Sequence, residues 1–542
     1  MGGLAVVSLA VMSLGTDLAS RGRIRPASAD AGVRIGYYRL RLALRPDAKT
    51  LGGCVRITGR VGAIPIKTLN LDLAPPMVVD SATANRKVTR TPLHIARDGY
   101  ALGLTPSVPW EAGEQVDVTV CYHGTPSANA LTFTGRGDSA RVGSYGLPYS
   151  AREWWPTHDS PLGKADSADI EISAPVALTA VSNGRLLGRV VHRDGSATTH
   201  WSVRYPIYPD VISLAVARYS MFSLDALTAS GEGMPMHFFV FPEDEARART
   251  DFSILPQLLA YHTARLGDYP FIHEGYGIAE FPIESFREHQ TIPSYGPRFI
   301  TGDHRNDWIL AHELAHQWFG DALTVRNWSD VWLNEGFATY TAFLWLERAR
   351  GRAAYDSVVS VRMKMDFPGS VFIADSTDVD HMFGPVTFFK GALVLHMLRH
   401  VMGDTLFFRA LRTYVAENLY KNVATATFQA VCERVFERPL DWFFKEWIYG
   451  AGAPAYELKW TQRRAAGGFD VDVLISQVQG GAVFTMPVDV ALHTARETRL
   501  EIVLDSVRAR QATFTVPDSV LDVTLDAGNW ILKRSLTSDK SR

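Results

Sequence analysis

The sequence predicts a multidomain α+β protein: an N-terminal β-sandwich or saddle domain, a mainly helical middle domain and a small C-terminal β-sandwich. Three changes of texture along the 542 residues predict it. Residues 33–224 are dominated by short runs of alternating apolar and polar residues, such as YYRLRLAL, LNLDL, VDVTVCYHG and DIEIS, broken by Gly, Pro and Asn turns. Period-two alternation is the mark of half-buried strands. Within 225–450 the segments lengthen from about residue 250, and apolar residues fall at helical spacing in FSILPQLLAYHTARLG, NDWILAHELAHQWFG and GALVLHMLRHVMG. After the turn GAGAP at 450–454, alternation returns over 451–542 in AYELKW, FDVDVLISQVQ, MPVDVALH and LEIVLD. There is no internal repeat and no low-complexity linker.

Composition narrows the function classes. With 46% hydrophobic and 21% charged residues the chain has the balance of a globular protein that buries large cores. The 55 basic and 57 acidic residues are interspersed, for a net charge of −2, so no nucleic-acid partner is expected. Residues 1–32 read as a signal-like or disordered segment: the apolar stretch Leu4 to Leu14 is too short to span a bilayer and resembles the core of an export signal, although no lysine or arginine precedes it. An exported protein, periplasmic or extracellular, without a membrane span is the expectation. Three cysteines are too few and too scattered for a thiolate metal site or a disulfide scaffold. Cys54 and Cys121 could pair in an exported protein, but buried free thiols are the expected state.

The chemistry concentrates in AHELAHQWFG, residues 311–320. In a helix, residues i and i+4 share a face one turn apart, so His312 and His316 can direct two imidazoles at one point. Glu313 would then stand beside a metal-held water as general base. Ile309, Leu310, Leu314, Trp318 and Phe319 make this helix apolar on most sides, an environment in which ionisable groups need partners. A catalytic zinc usually takes three protein ligands. Glu335, in the strongly apolar segment WSDVWLNEGFATYTAFLW, lies 19 residues beyond His316 and supplies the third.

HELAH followed after eighteen residues by the Glu of WLNEGFATY resembles the M1 family of zinc aminopeptidases, the gluzincins that include aminopeptidase N and leukotriene A4 hydrolase. YSAREWWPTHDSPLGKAD at 149–166 is similar to the family's AR-x-W-x-P-x-x-D-x-P-x-K-A stretch, and FFKGALVLHMLRHVMGD at 388–404 to the helix after its catalytic region. The resemblance implies a thermolysin-like middle domain holding one Zn2+ per chain through His312, His316 and Glu335. It also implies a peptide substrate with a free N-terminus.

The resemblance also implies roles for residues that depart from the family pattern. IESFREHQT at 283–291 stands where the family has G-x-M-E-N, so Glu288 takes the place of the carboxylate that holds the substrate's α-ammonium. Ser285, Arg287 and His289 replace Gly, Met and Asn there, and Arg287 beside the first substrate side chain implies a preference for acidic or polar first residues. A second amine acceptor, Glu or Gln in many members, is replaced by Leu147. In T-F-F-K-G at 387–391, Lys390 and Gly391 align with the family's Y-x-K-G and put Phe388 at the tyrosine that stabilises the oxyanion. Losing one such donor costs about 10²–10³ in rate. The implied function is therefore an M1-type metallo-aminopeptidase of reduced activity, with His381 or Tyr295 as substitute donors. The alternative is a catalytically impaired zinc protein that binds peptide N-termini.

Overall fold

A computed structural model describes residues 32–86, 89–146 and 148–539. Most of the signal-like segment and Leu147 lie outside the described residues.

The alternating runs of the first domain become an eight-stranded mixed sheet, in the order 185–191, 196–203, 167–175, 33–45, 50–61, 115–124, 77–86 and 89–92. In Val33–Arg45 the side chains of Tyr38, Leu40, Leu42 and Leu44 are buried while Arg41 and Ala43 between them are exposed, which is the predicted two-residue period. Val33–Arg45 lies antiparallel to Thr50–Val61 and parallel to Ser167–Pro175. Smaller sheets of three and four strands complete the β-rich unit.

The expectation of free thiols at Cys54 and Cys121 is overturned. The two residues face each other across the antiparallel pair Thr50–Val61 and Gln115–Gly124, with Cα atoms 4.0 Å apart, and are joined by a disulfide. Strand register, a long-range property, puts them side by side. Cys432 remains a buried free thiol.

A five-stranded sheet starts the next unit. Its first strand, Ser220–Leu227, crosses the expected boundary at 224/225 and pairs with Gly233–Val240, which is followed across the sheet by Tyr276–Glu280, Ser294–Tyr295 and the edge strand Phe286–Arg287. Helices fill most of the remainder up to Trp447. Asp307–His316, Trp332–Arg350 and Gly391–Met402 matter most here. The middle one is buried continuously from Trp332 to Trp345 and packs against both of the others. Burial all round explains why it reads as apolar on every face rather than amphipathic. After residue 454, a four-stranded and a three-stranded sheet enclose Tyr456, Val471, Ile475, Met486, Val488 and Val490, the core of the C-terminal β unit. Trp530 ties this unit to the helical one by stacking on His396 and His400 of Gly391–Met402, at centroid distances of 4.6 and 4.9 Å. Among the described residues no helix is long and apolar enough to cross a membrane.

Candidate metal centre and amine-binding cleft

Asp307 sits in the first turn of Asp307–His316, where a carboxylate suits the helix dipole, and every residue from Ile309 to His316 is buried. The imidazoles of His312 and His316 meet edge to face on that helix, with their Nε2 atoms 2.9 Å apart. From Trp332–Arg350, Glu335 Oε2 approaches to 3.4 Å from both nitrogens. This oxygen is buried and accepts no hydrogen bond. Ligand atoms around one tetrahedral zinc, each about 2.0–2.2 Å from the ion, are separated by roughly 3.3–3.5 Å. The two separations from Glu335 match this spacing, and the 2.9 Å between the imidazole nitrogens falls short of it, so the two rings would part slightly around an ion; the N, N, O donor set suits zinc.

Glu313 is the other carboxylate near the pair, since one of its oxygens lies within 4.8 Å of ligand nitrogens on both histidines. Glu335 reaches both Nε2 atoms more closely and equally. Glu313 Oε2 is buried without a partner, and burial pushes its carboxyl well above the usual range. Burial acts the same way on Glu335, but the two imidazoles reverse the effect and hold it at about 2. His316 Nδ1 lies 3.0 Å from the Phe319 carbonyl, to which it donates when Nε2 keeps its lone pair for a metal. Beside this ring Gly320, at φ +129°, takes a backbone conformation that favours glycine.

Glu288 follows the edge strand Phe286–Arg287 and is half-buried in a cavity shared with Arg287, His289, Tyr208, Trp328 and Phe383. Burial raises its carboxyl while the His316 imidazole opposes the rise, so the two groups are within electrostatic reach. The Arg287 guanidinium lies over the Tyr145 ring at 3.6 Å and donates to the Phe286 carbonyl. Phe388 occupies a widened helical turn, Val386–Lys390, and its ring stacks on His312 at 6.0 Å between centroids and 20° between planes. The turn is locked against Trp332–Arg350 by two glycines: a Cβ on Gly336 would stand 3.0 Å from the Gly391 Cα.

The two substitute donors differ in placement. Tyr295 is buried, and Glu313 is the foremost charge adding to the effect of burial in pushing its phenol upward, so it lies near the centre. His381 is exposed, with its ring beside Gly369.

Further residues join the site. Arg152 and Asp159, from the AREWWPTHDSP stretch, form a buried ion pair close to Asp210. Lys164 donates to the carbonyls of Asp321 and Ala322, docking the β domain just beyond the HELAH helix. Gln317, immediately after His316, bonds to several segments at once. The sequence signals were the stretch 149–166 for the first group and adjacency to HELAH for Gln317.

Residues 298–447 match the sequence profile of the Peptidase family M1 domain. Residues 298–447 of the helical unit thus carry the Peptidase family M1 domain. Over 329 residues the chain is 26% identical to glutamyl aminopeptidase of Bos taurus, a match covering 57% of this chain and 34% of that one. Over 194 residues it is 31% identical to aminopeptidase M1-C of Oryza sativa subsp. japonica, covering 33% and 21%. These alignments span about a third or less of the length of the curated relatives. The crystal structure of an M1 zinc metallopeptidase from Deinococcus radiodurans superposes with a TM-score of 0.66 at 23% identity, covering 78% of this chain and 95% of that one. That likeness extends the shared fold well beyond the M1 domain to most of the chain.

Proposed function

We propose that this protein is a zinc-dependent aminopeptidase, removing the first residue from peptides with a free N-terminus. One observation carries the reading: His312 Nε2, His316 Nε2 and Glu335 Oε2 converge on one point beside a buried, partnerless Glu313 oxygen. Zinc held there supplies Lewis acidity toward the scissile carbonyl. Glu313 takes a proton from the attacking water and delivers it to the departing amine nitrogen, so that water's oxygen bonds to the carbonyl carbon as the C–N bond breaks. Glu288 holds the α-ammonium, which makes the cleft count from the end of the chain. Arg287 favours acidic or polar first side chains. The disulfide between Cys54 and Cys121 supports an exported protein, because such bonds persist in oxidising compartments.

A second reading rests on Phe388, whose ring packs on His312 without a hydroxyl to donate. On that reading the protein binds peptide N-termini and turns them over poorly. Two measurements separate the readings. Metal analysis of purified protein is expected to find about one zinc per chain, and a folded protein without zinc defeats both. A panel of aminoacyl reporter substrates is expected to show hydrolysis above the Glu313→Gln background, with acidic or polar first residues preferred. No hydrolysis together with binding of free-amine peptides selects the second reading, and a preference for Lys or Arg removes the role given to Arg287.

A further inference from the structure

An exopeptidase of this kind depends on the spacing between the amine-binding carboxylate and the metal, because that spacing selects which carbonyl is attacked. Glu288 itself lies just beyond a short strand. The strand before it has two residues, and Thr291, three positions later, is a β-branched residue at φ +64°, a left-handed conformation such residues rarely adopt. Something must hold this segment.

The hydrogen bonds show what does. From the HELAH side, Gln317 Oε1 accepts from the Thr291 backbone N–H at 2.7 Å and from the Tyr269 hydroxyl at 3.1 Å. Gln317 Nε2 donates to Asp321 Oδ2 at 2.9 Å and to the His289 carbonyl at 3.5 Å. From the β domain, Asn183 Nδ2 donates to the Gln290 carbonyl at 2.7 Å, and the Gly184 N–H donates to Thr291 Oγ1 at 2.8 Å. Gln317 is fully buried and is the next residue after the ligand His316. One side chain thus joins the segment following Glu288 to the helix bearing two of the three converging ligand atoms. A glutamine suits the position because it offers an acceptor and a donor from one planar group.

We propose that Gln317 is a positioning residue that sets the distance from Glu288 to the metal centre through its hydrogen bonds to residues 289 and 291. The proposal rests on the aminopeptidase reading of the site. Gln317→Met keeps similar volume and removes every side-chain hydrogen bond described above. It is expected to raise KM for an aminoacyl reporter about tenfold, the scale of a charged hydrogen bond, while kcat and zinc content stay near wild type. Because Gln317 acts through Glu288, the double variant Gln317→Met/Glu288→Gln is expected to match Glu288→Gln alone. Gln317→Glu, which retains an acceptor for the Thr291 N–H, is expected to recover part of the loss, and it carries the same cycle if Gln317→Met does not fold.

The cycle is read in parallel as the Kd for a free-amine tripeptide against its N-acetylated form, in the Glu313→Gln background, so that binding without turnover still answers it. Effects that multiply in the double variant, or a fall in kcat and zinc content with KM unchanged, overturn the clamp. A wild-type protein that does not distinguish the two peptides overturns the amine-anchor reading and the clamp with it. Preference for the free amine with an additive cycle overturns the clamp alone.

Discussion

The two sides of the cleft are built differently. On the metal side, His312, Glu313, His316 and Glu335 project from two long buried helices packed against each other. On the other side, Glu288 and Arg287 stand at a two-residue edge strand and Phe388 on a single widened turn. Long buried helices carry the converging ligand atoms, and short elements carry the residues around them. On the proposed reading, the helices fix the centre that activates water and the short elements position the substrate.

Breaking the metal side should have the largest effect. Glu313→Gln is expected to lower kcat by about 10²–10⁴ with zinc content unchanged, as for loss of a general base. Metal analysis alongside the reporter assay checks both halves of that statement. Next is a gain on the substrate side: Phe388→Tyr should raise kcat by about 10²–10³, the scale of one oxyanion donor. A flat rate from this variant, with Glu313→Gln inactive, transfers the donor role to another group, and Tyr295 is the better placed of the two candidates. Smaller again, Glu288→Gln should raise KM for free-amine substrates by about ten- to a hundredfold. Equal loss of affinity for N-acetylated peptides would show that Glu288 does not read the amine.

The smallest expected effect sharpens the comparison by way of pH. Burial raises Asp210, which borders the Glu288 cavity, to about 7, and raises its neighbour Asp159 as well. A carboxyl held above its unfolded value near 3.8 keeps its proton longer in the folded state, so its contribution is complete at low pH and is lost as pH rises from about 4 to about 7. Thermal unfolding of wild type should show falling stability across that window, and Asp210→Asn should flatten the slope. An unchanged slope would mean that the buried pair does not control it.

The metal side was legible because a histidine pair at i and i+4 and a glutamate inside an apolar helix are local patterns with a physical requirement for partners. The same periodicities gave the order of β-rich, helical and β-rich units. What escaped depends on residues distant in sequence. The pairing of Cys54 with Cys121 follows from the register of two strands 67 residues apart, which alternation does not specify. Gln317 reads as one more polar residue until the fold brings Thr291, Tyr269 and Asp321 around it. Strands as short as Phe286–Arg287 and Ser294–Tyr295 have no period to detect, so the cleft's edge had to come from resemblance.

The contact between Gly336 and Gly391 bears on how this protein's chemistry can change over evolutionary time. Since backbone meets backbone there, the turn that carries position 388 is fixed by the skeleton, while its ring rests on the His312 imidazole. A change of residue at 388 therefore alters what lies against His312 without moving the turn, which leaves this position freer to vary over evolutionary time than Gly336 or Gly391.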